Sequence, residues 1–147
     1  MTDRLRVLIL CTGNSARSQM AEGWLRRLGA GRVETFSAGT HPAPTVNPLA
    51  VRVMGEAGID LAGQQPKSVE GFLAERFDYV ITVCDDAAEA CPIFPGPAHR
   101  IHWSFQDPAK AEGDEEARLS AFRQVRDGLR ERLEGFLSET PVGKADA

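Results

Sequence analysis

Residues 5–28 place a short, mostly apolar run directly before a small-residue turn and a helix-like stretch. Residues 5–10 predict a strand buried on both faces, because the run is nearly continuous rather than alternating. Residues 15–28 predict the following helix, which should end near Gly29. A buried strand that leads into a helix is the repeating unit of parallel α/β proteins, so this stretch sets the fold class.

The rest of the chain repeats the same two kinds of element. Residues 33–37, 77–83 and 100–104 predict three further strands. Asn47 followed by proline predicts a helix start at that point, and a shorter helix is expected around residues 68–73. The last helix is predicted by apolar residues at steps of three or four, at Leu119, Phe122, Val125, Leu129, Leu133 and Phe136.

These elements predict one α/β domain with a four-stranded parallel sheet flanked by helices on both faces. The 147 residues suit a single domain, for which we expect the range 1–140. Residues 141–147 should form a flexible tail. Ligands of such folds sit at the carboxyl ends of the strands, and Cys11 and Cys84 each follow a predicted strand end.

The overall charge and hydropathy exclude several classes of partner. The formal net charge of −4 argues against nucleic acid, because binding to phosphate backbones needs basic patches. No apolar run is long enough to cross a bilayer, and the N-terminus does not resemble a secretory signal. We therefore expect a cytoplasmic protein that acts as a monomer, without membrane contact. Three cysteines in that compartment are not expected to form a structural disulfide.

Cys11 and Arg17 bracket the turn after the first strand in a C-x5-R pattern. Six backbone N–H groups between them can curl around one centre, and Gly13 and Asn14 tolerate the positive φ that such a curl needs. The positive end of the following helix points to the same centre. We expect this loop to bind a tetrahedral oxyanion through Thr12, Gly13, Asn14, Ser15, Ala16, Arg17 and Ser18.

The positive end of the helix and the charge of Arg17 also favour a thiolate at Cys11, which predicts a cysteine nucleophile. Ser18 is placed to donate a hydrogen bond to that sulfur. A plain strand-to-helix turn would explain the glycine, asparagine and serines, but it would explain neither Cys11 nor Arg17.

The stretch CTGNSARS resembles the low-molecular-weight tyrosine phosphatase superfamily, and in particular its thioredoxin-coupled arsenate reductases. The resemblance covers nearly the whole chain. It also includes SQMAEGW (18–24), SAG (37–39), VNP (46–48), TVCDDAAEACP (82–92) and W-x-F-x-D-P-A (103–109).

The resemblance implies reduction of arsenate to arsenite by a relay of three thiols. Cys11 attacks arsenic while Asp107 protonates the departing oxygen. Cys84 then attacks the Cys11–arsenic adduct, and Cys91 attacks Cys84 to leave a Cys84–Cys91 redox disulfide. The implied partners are arsenate and thioredoxin, which supplies the reducing equivalents, with no tightly bound cofactor.

The spacing of Cys84 and Cys91 adds a conformational prediction. Residues 85–90 favour a helix, in which the two Cα atoms would lie about 10.5 Å apart along the axis. A disulfide needs Cα atoms within about 7 Å, so we predict that oxidation unwinds this segment.

The main alternative is a phosphatase that hydrolyses phosphate monoesters through a Cys11 phospho-enzyme, either as the main activity or as a side activity of the reductase. Phosphate and arsenate share shape and charge. Ala16 and Ala109 favour the reductase, because the phosphatases compared usually carry cysteine and tyrosine at these places. A noncatalytic redox sensor or oxyanion-binding module is a third hypothesis, but it leaves Asp107 without a purpose.

No metal site is predicted. The spacing of the histidines and cysteines does not suggest zinc ligands. Some relatives bind potassium close to the loop through an asparagine, a glutamate, a serine and an aspartate. Asn14, Glu22 and Ser37 fall at matching places in this sequence. The place expected for that aspartate, near Ser68, holds Val69 instead.

Overall fold

The computed structural model describes residues 4–85 and 93–140. Within these ranges, four strands form one parallel sheet in the order β2-β1-β3-β4, with β1 hydrogen-bonded on both sides. The strands are β1 (Leu5–Cys11), β2 (Val33–Gly39), β3 (Tyr79–Thr82) and β4 (His99–His102). The predicted four-stranded parallel sheet is confirmed.

In the described part of the chain, three α-helices and two short 3-10 helices accompany these strands, and the last helix of each kind follows β4. Asn47 caps the second helix by accepting from Leu49 N at 2.8 Å, as its position before Pro48 predicts. Asp114 caps the last helix in the same way. The helices are α1 (Arg17–Leu28), α2 (Pro48–Glu56) and α3 (Glu115–Glu139), with 3-10 helices at Val69–Phe72 and Pro108–Lys110.

The larger core lies between one face of the sheet and the three α-helices. Val7 and Ile9 of β1 are fully buried there, and Trp24 of α1 donates from Nε1 to Arg126 O of α3 at 3.0 Å. All six apolar residues that predicted the last helix are buried. Their periodicity therefore identifies the side of α3 that packs on the sheet and on α1.

The opposite face of the sheet is covered by a smaller aromatic cluster. Leu8 and Leu10 of β1 pack there with Phe77 and Phe94, whose ring centroids are 5.5 Å apart. The 3-10 helix Val69–Phe72 also packs against this cluster. Among the described residues, the sheet is thus flanked on one face by α-helices and on the other by a short helical turn and loops. The predicted α/β class is confirmed.

Ion pairs tie α2 to α3 at the surface. Glu56 accepts from Arg123 and Arg126 at 2.8 and 2.9 Å, and Arg126 also donates to Val53 O. The hydrogen bond from Arg123 and the second one from Arg126 lower the pKa of Glu56 to about 2. The same contact raises the pKa of Arg123, and a hydrogen bond to Asp127 raises that of Arg126.

Three predictions fall partly or wholly outside the described residues: the tail at 141–147, the helix-forming segment after Cys84, and Cys91 itself. Within the described part of the chain, no helix combines the length and apolarity needed to span a bilayer.

Candidate active site

Parallel pairing brings the ends of three elements to one edge of the sheet. Cys11, the last residue of β1, lies opposite Gly39 of β2. On the other side, Val83 N donates to Leu10 O at 3.0 Å, which places the residues after β3 beside the same end of β1. The loop between Cys11 and Arg17 therefore starts at the carboxyl edge where α/β proteins bind ligands.

The carbonyl groups of this loop are held on its outer side. Thr12 O and Gly13 O each accept a backbone hydrogen bond of 2.9 Å, from His41 N and Ala43 N. Ser15 O accepts another, from Asn47 N at 2.9 Å. Because a trans peptide points its N–H opposite to its C=O, these contacts turn the following amides toward the inside of the loop. Inward-facing amides form a concave site for an anion.

The backbone of the loop differs from the prediction in two details. Only Asn14 adopts a positive φ, of 49°, whereas Gly13 does not. The helix begins at Arg17 rather than at residue 15, because Ala16 still has a non-helical φ of −129°. The loop therefore includes residues 15 and 16, which the sequence pattern had assigned to the helix.

The thiol of Cys11 lies at the bottom of this loop. Cys11 is 1% exposed and is a free cysteine. Its Sγ accepts from Asn14 N at 3.3 Å and lies 2.9 Å from Ser18 Oγ. Both contacts can stabilise negative charge on the sulfur.

Arg17 and Asp107 lie close to each other beside the loop. The Arg17 side chain is 5% exposed and donates from Nη1 to Phe105 O at 3.1 Å. Its Nη2 lies 3.8 Å from Oδ2 of Asp107, whose side chain is 26% exposed. Asp107 is the N-cap of a 3-10 helix and accepts from Ala109 N at 3.0 Å. The structure thus brings the predicted acid to the predicted anion clamp.

A cavity of about 390 Å³ opens above Cys11 between these groups. Lys110 at its rim adds a cation that the sequence analysis did not single out. Its lining residues are Cys11, Thr12, Gly13, Ser15, Ala16, Arg17, Asp107, Ala109 and Lys110. Asn14 and Ser18 are buried beneath the loop instead.

Cys84 is fully buried and lies two residues after β3. It is part of a disulfide in this structure. The next residue, Asp85, lines a cavity of about 270 Å³ that also reaches Asp107 and Lys110. The segment after Cys84 therefore starts close to the rim of the Cys11 cavity.

A polar cluster lies beneath the loop. The Glu22 carboxyl is only 5% exposed, accepts from Ser37 Oγ at 2.5 Å and lies 3.8 Å from Lys67 Nζ. Arg26 also pairs with Glu22. The family resemblance had placed Asn14, Glu22 and Ser37 together, but the sequence analysis did not single out Arg26 or Lys67 as their partners. Among the described residues, no group of three or more His, Cys, Asp or Glu side chains is arranged to hold a metal.

The sequence matches the low molecular weight phosphotyrosine protein phosphatase family over residues 6–145. The chain belongs to this family. The loop from Cys11 to Arg17 and Asp107 all lie within the matched range. The phosphatase fold therefore accounts for the whole of the described structure.

Within the low molecular weight phosphatase family, this chain is similar to proteins named as arsenate reductases. The arsenate reductase of Halalkalibacterium halodurans is 45% identical over 130 residues, covering 88% of this chain and 93% of that protein. A solved structure of an arsenate reductase in its phosphate-binding state has a TM-score of 0.72 and 33% identity. The matched region covers 92% of this chain and 98% of that chain.

A third relative is the thioredoxin-dependent arsenate reductase of Corynebacterium glutamicum. Its structure has a TM-score of 0.68 and 26% identity, covering 93% of this chain and 64% of its own length. A substantial part of that protein thus has no counterpart here.

Proposed function

We propose that this protein is an arsenate reductase in which Cys11 is the nucleophile. The observation that carries the proposal is the free, buried thiol of Cys11 at the bottom of an amide-lined loop, with Arg17 and Asp107 on one cavity. The similarity to the reductase of H. halodurans supports arsenate as the oxyanion.

The first step is attack of the Cys11 thiolate on arsenic. The loop amides hold the arsenate oxygens, and Arg17 binds two of them through its planar fork. Asp107 gives its proton to the departing oxygen, which leaves as water. The product is a Cys11–arsenic(V) thioester-like adduct in which arsenic is not yet reduced.

Reduction follows when a second thiolate attacks the sulfur of Cys11. We propose Cys84 for this role, because it follows the strand next to β1. A Cys11–Cys84 disulfide forms, the electron pair of the sulfur–arsenic bond passes to arsenic, and arsenite leaves. Because only a thiolate can attack, Cys84 must be in its reduced form before each cycle.

The last internal step transfers the disulfide away from the oxyanion loop. Cys91 attacks Cys84, which forms Cys84–Cys91 and returns Cys11 as a thiolate. Thioredoxin then reduces that disulfide, a choice supported by the thioredoxin-dependent relative from C. glutamicum.

A phosphatase is the second candidate function, supported by the family itself. A phosphate monoester placed in the same cavity would form a phospho-enzyme on Cys11, with Asp107 protonating the leaving alcohol. The rim residue Ala109 offers only a methyl group for packing against an organic substituent. We therefore propose ester hydrolysis as a weak side activity.

A thiol-variant series distinguishes these functions. Wild type, Cys11→Ser, Cys84→Ser and Cys91→Ser are assayed on arsenate with thioredoxin, its reductase and NADPH, and separately on p-nitrophenyl phosphate. Cys11→Ser should abolish both reactions. Cys84→Ser and Cys91→Ser should stop arsenate turnover and leave ester hydrolysis intact. Multiple arsenate turnovers by Cys91→Ser with thioredoxin alone would disprove the relay.

We further propose that residues 1–140 act as one domain, as a monomer in the cytoplasm, without a tightly bound cofactor. Size-exclusion chromatography with light scattering on the purified protein tests the oligomeric state. Retained turnover by a chain that ends at residue 140 tests the role of the tail.

A further inference from the structure

Lys110 lies on the same side of a short helix as the proposed acid Asp107. The two residues are three positions apart, and Lys110 N donates to Asp107 O at 3.1 Å, which closes one turn at the 3-10 helix Pro108–Lys110. Since a 3-10 helix has three residues per turn, side chains at i and i+3 lie one above the other along its axis. Both residues accordingly line the cavity above Cys11 and the neighbouring cavity of about 270 Å³.

The two cations on the cavity above Cys11 are held differently. Arg17 is buried, donates from Nη1 to Phe105 O and lies 3.8 Å from Asp107 Oδ2, so its guanidinium is fixed beside the loop. Lys110 is exposed, and no carboxylate among the described residues forms an ion pair with it. The cavity therefore has one fixed cation at the loop and, at the rim, a second cation on a flexible four-carbon side chain.

We propose that Lys110 is a specificity-determining residue that binds the outward-facing oxygen of a free tetrahedral oxyanion and so favours arsenate over organic monoesters. The proposal rests on the proposed function for the place of the oxyanion and for Cys11 as the nucleophile. It adds the side chain that separates the two candidate reactions of the same site.

The direction of attack determines which oxygen reaches Lys110. Cys11 attacks from the bottom of the loop, and the departing oxygen leaves on the opposite side, roughly in line with the sulfur. The loop amides and Arg17 hold the remaining oxygens, so the departing oxygen points to the open side of the cavity. Asp107 and Lys110 lie on that side, and each can donate a hydrogen bond to it.

The two classes of substrate differ at this outward-facing oxygen. In free arsenate or phosphate the oxygen carries part of the negative charge, so the ammonium of Lys110 can form a charge-assisted hydrogen bond with it. In a monoester the same oxygen is bonded to carbon, and the organic group lies next to the ammonium. An ammonium is strongly hydrated, and loss of its water without a new partner is costly. Lys110 therefore favours the free oxyanion and disfavours the ester.

A general attraction between charges predicts a different pattern of binding. A cation near the cavity attracts all anions of the same charge, whatever the fourth substituent of the central atom. The proposal instead predicts that loss of Lys110 affects two dianions unequally when they differ only in the outward group. Inorganic phosphate and phenylphosphonate form such a pair, because a phenyl group replaces one oxygen in the phosphonate and its phosphorus–carbon bond is not hydrolysed.

The test is protection of Cys11 from alkylation by iodoacetamide in the fully reduced chain, followed by mass spectrometry of the Cys11 peptide, with each dianion titrated separately. Lys110→Met should weaken protection by phosphate about tenfold, the value of one charge-assisted hydrogen bond. Protection by phenylphosphonate should be unchanged or stronger. Lys110→Arg, which keeps the cation, should retain the wild-type ratio of the two protection constants.

Arg118→Met is the matched control. It removes one positive charge from an exposed position of α3 that lines neither cavity, and both dianions should protect Cys11 as in wild type. An equal loss of protection by phosphate and phenylphosphonate in Lys110→Met, or an unchanged phosphate constant, would overturn the proposal.

The same measurement separates this proposal from the proposed function. Failure of phosphate to protect Cys11 in wild type would overturn the oxyanion site, on which both depend. Because neither arsenate reduction nor thioredoxin is used, failure of the thiol relay alone would leave the effect of Lys110 on phosphate binding intact.

Discussion

Gly39 lies against the backbone of Thr12, so closely that a Cβ at position 39 would collide with the Thr12 carbonyl oxygen. The same Cβ would lie 3.0 Å from Asn14 N. Both contacts are with main-chain atoms, which cannot turn aside as a flexible side chain can. Glycine at position 39 is therefore what allows β2 to lie this close to the anion loop.

Gly39→Ala should distort the loop between Cys11 and Arg17 and abolish oxyanion binding. The measurement is competitive inhibition by inorganic phosphate, together with the melting temperature. Gly55→Ala is the control, since it adds a methyl group to α2 where no neighbour lies within 4 Å. That variant should bind phosphate normally and gain about 0.5–1 kcal/mol of stability. Normal phosphate binding by Gly39→Ala would contradict the prediction.

Asp107→Asn should lower turnover on arsenate by about 10²- to 10⁴-fold, because an amide has no proton to give to the departing oxygen. Asparagine can still accept from Ala109 N, so the cap of the 3-10 helix should be retained. Steady-state kinetics and phosphate inhibition measure the two effects separately. Asp114→Asn, at the cap of α3, is the matched control and should remain active. A fully active Asp107→Asn enzyme would require another proton donor.

Arg17→Lys keeps the charge but loses the planar fork and the contact from Nη1 to Phe105 O. We expect KM for arsenate to rise about 10- to 100-fold, the value of one lost charge-assisted hydrogen bond. Arg27→Lys changes an exposed arginine of α1 that donates to Gly58 O, and it should leave KM unchanged. An equal effect of both substitutions would indicate a general change in the helix rather than loss of an anion clamp.

The contribution of Glu56 to stability should depend on pH. Since the contacts with Arg123 and Arg126 lower the pKa of Glu56 from 4.5 to about 2, the folded state holds its proton less tightly than the unfolded state. The stabilisation is therefore complete at pH values above the ordinary pKa of glutamate. It is lost as the pH falls through the pKa that Glu56 has in the folded state. In urea unfolding, Glu56→Gln should have a lower free energy of unfolding than wild type at pH 7. The difference between the two proteins should be smaller at pH 2.5.

The control for this measurement is Glu112→Gln, which changes an exposed carboxylate on the turn before α3. Its difference from wild type should vary little between the two pH values. A Glu56→Gln deficit that stays constant with pH would mean that packing, and not the ion pair, is responsible.

The unit from β1 to α1 could be predicted because its determinants are local. The apolar run, the turn residues and the helix pattern follow one another within residues 5–28. The φ of Gly13 and the curl at Ala16 were misjudged, because a backbone held by His41, Ala43 and Asn47 depends on a distant segment. Strand ends were misjudged for a similar reason. Phe77 fits a strand pattern, but it belongs to the aromatic cluster just before β3.

The resemblance grouped Asn14, Glu22 and Ser37, but the burial of Glu22 and its ion pair with Lys67 could not be predicted from the sequence pattern. Glu22 is followed by apolar and basic residues typical of an ordinary amphipathic helix, for which an exposed glutamate is the usual expectation. Its partners Ser37 and Lys67 are 15 and 45 positions away and meet it only after the sheet forms. Lys110 was missed because its importance lies in its position at a cavity rim.

The central place of β1 in the sheet has a mechanical consequence for turnover. A strand that is paired along both edges opens only when much of the domain opens, so its amides should exchange with solvent among the slowest. The reacting sulfur is attached to the last residue of this strand and is thus nearly stationary. Substrate, reducing thiols and protein partners must all move to that fixed point, so the movements needed for turnover occur outside β1.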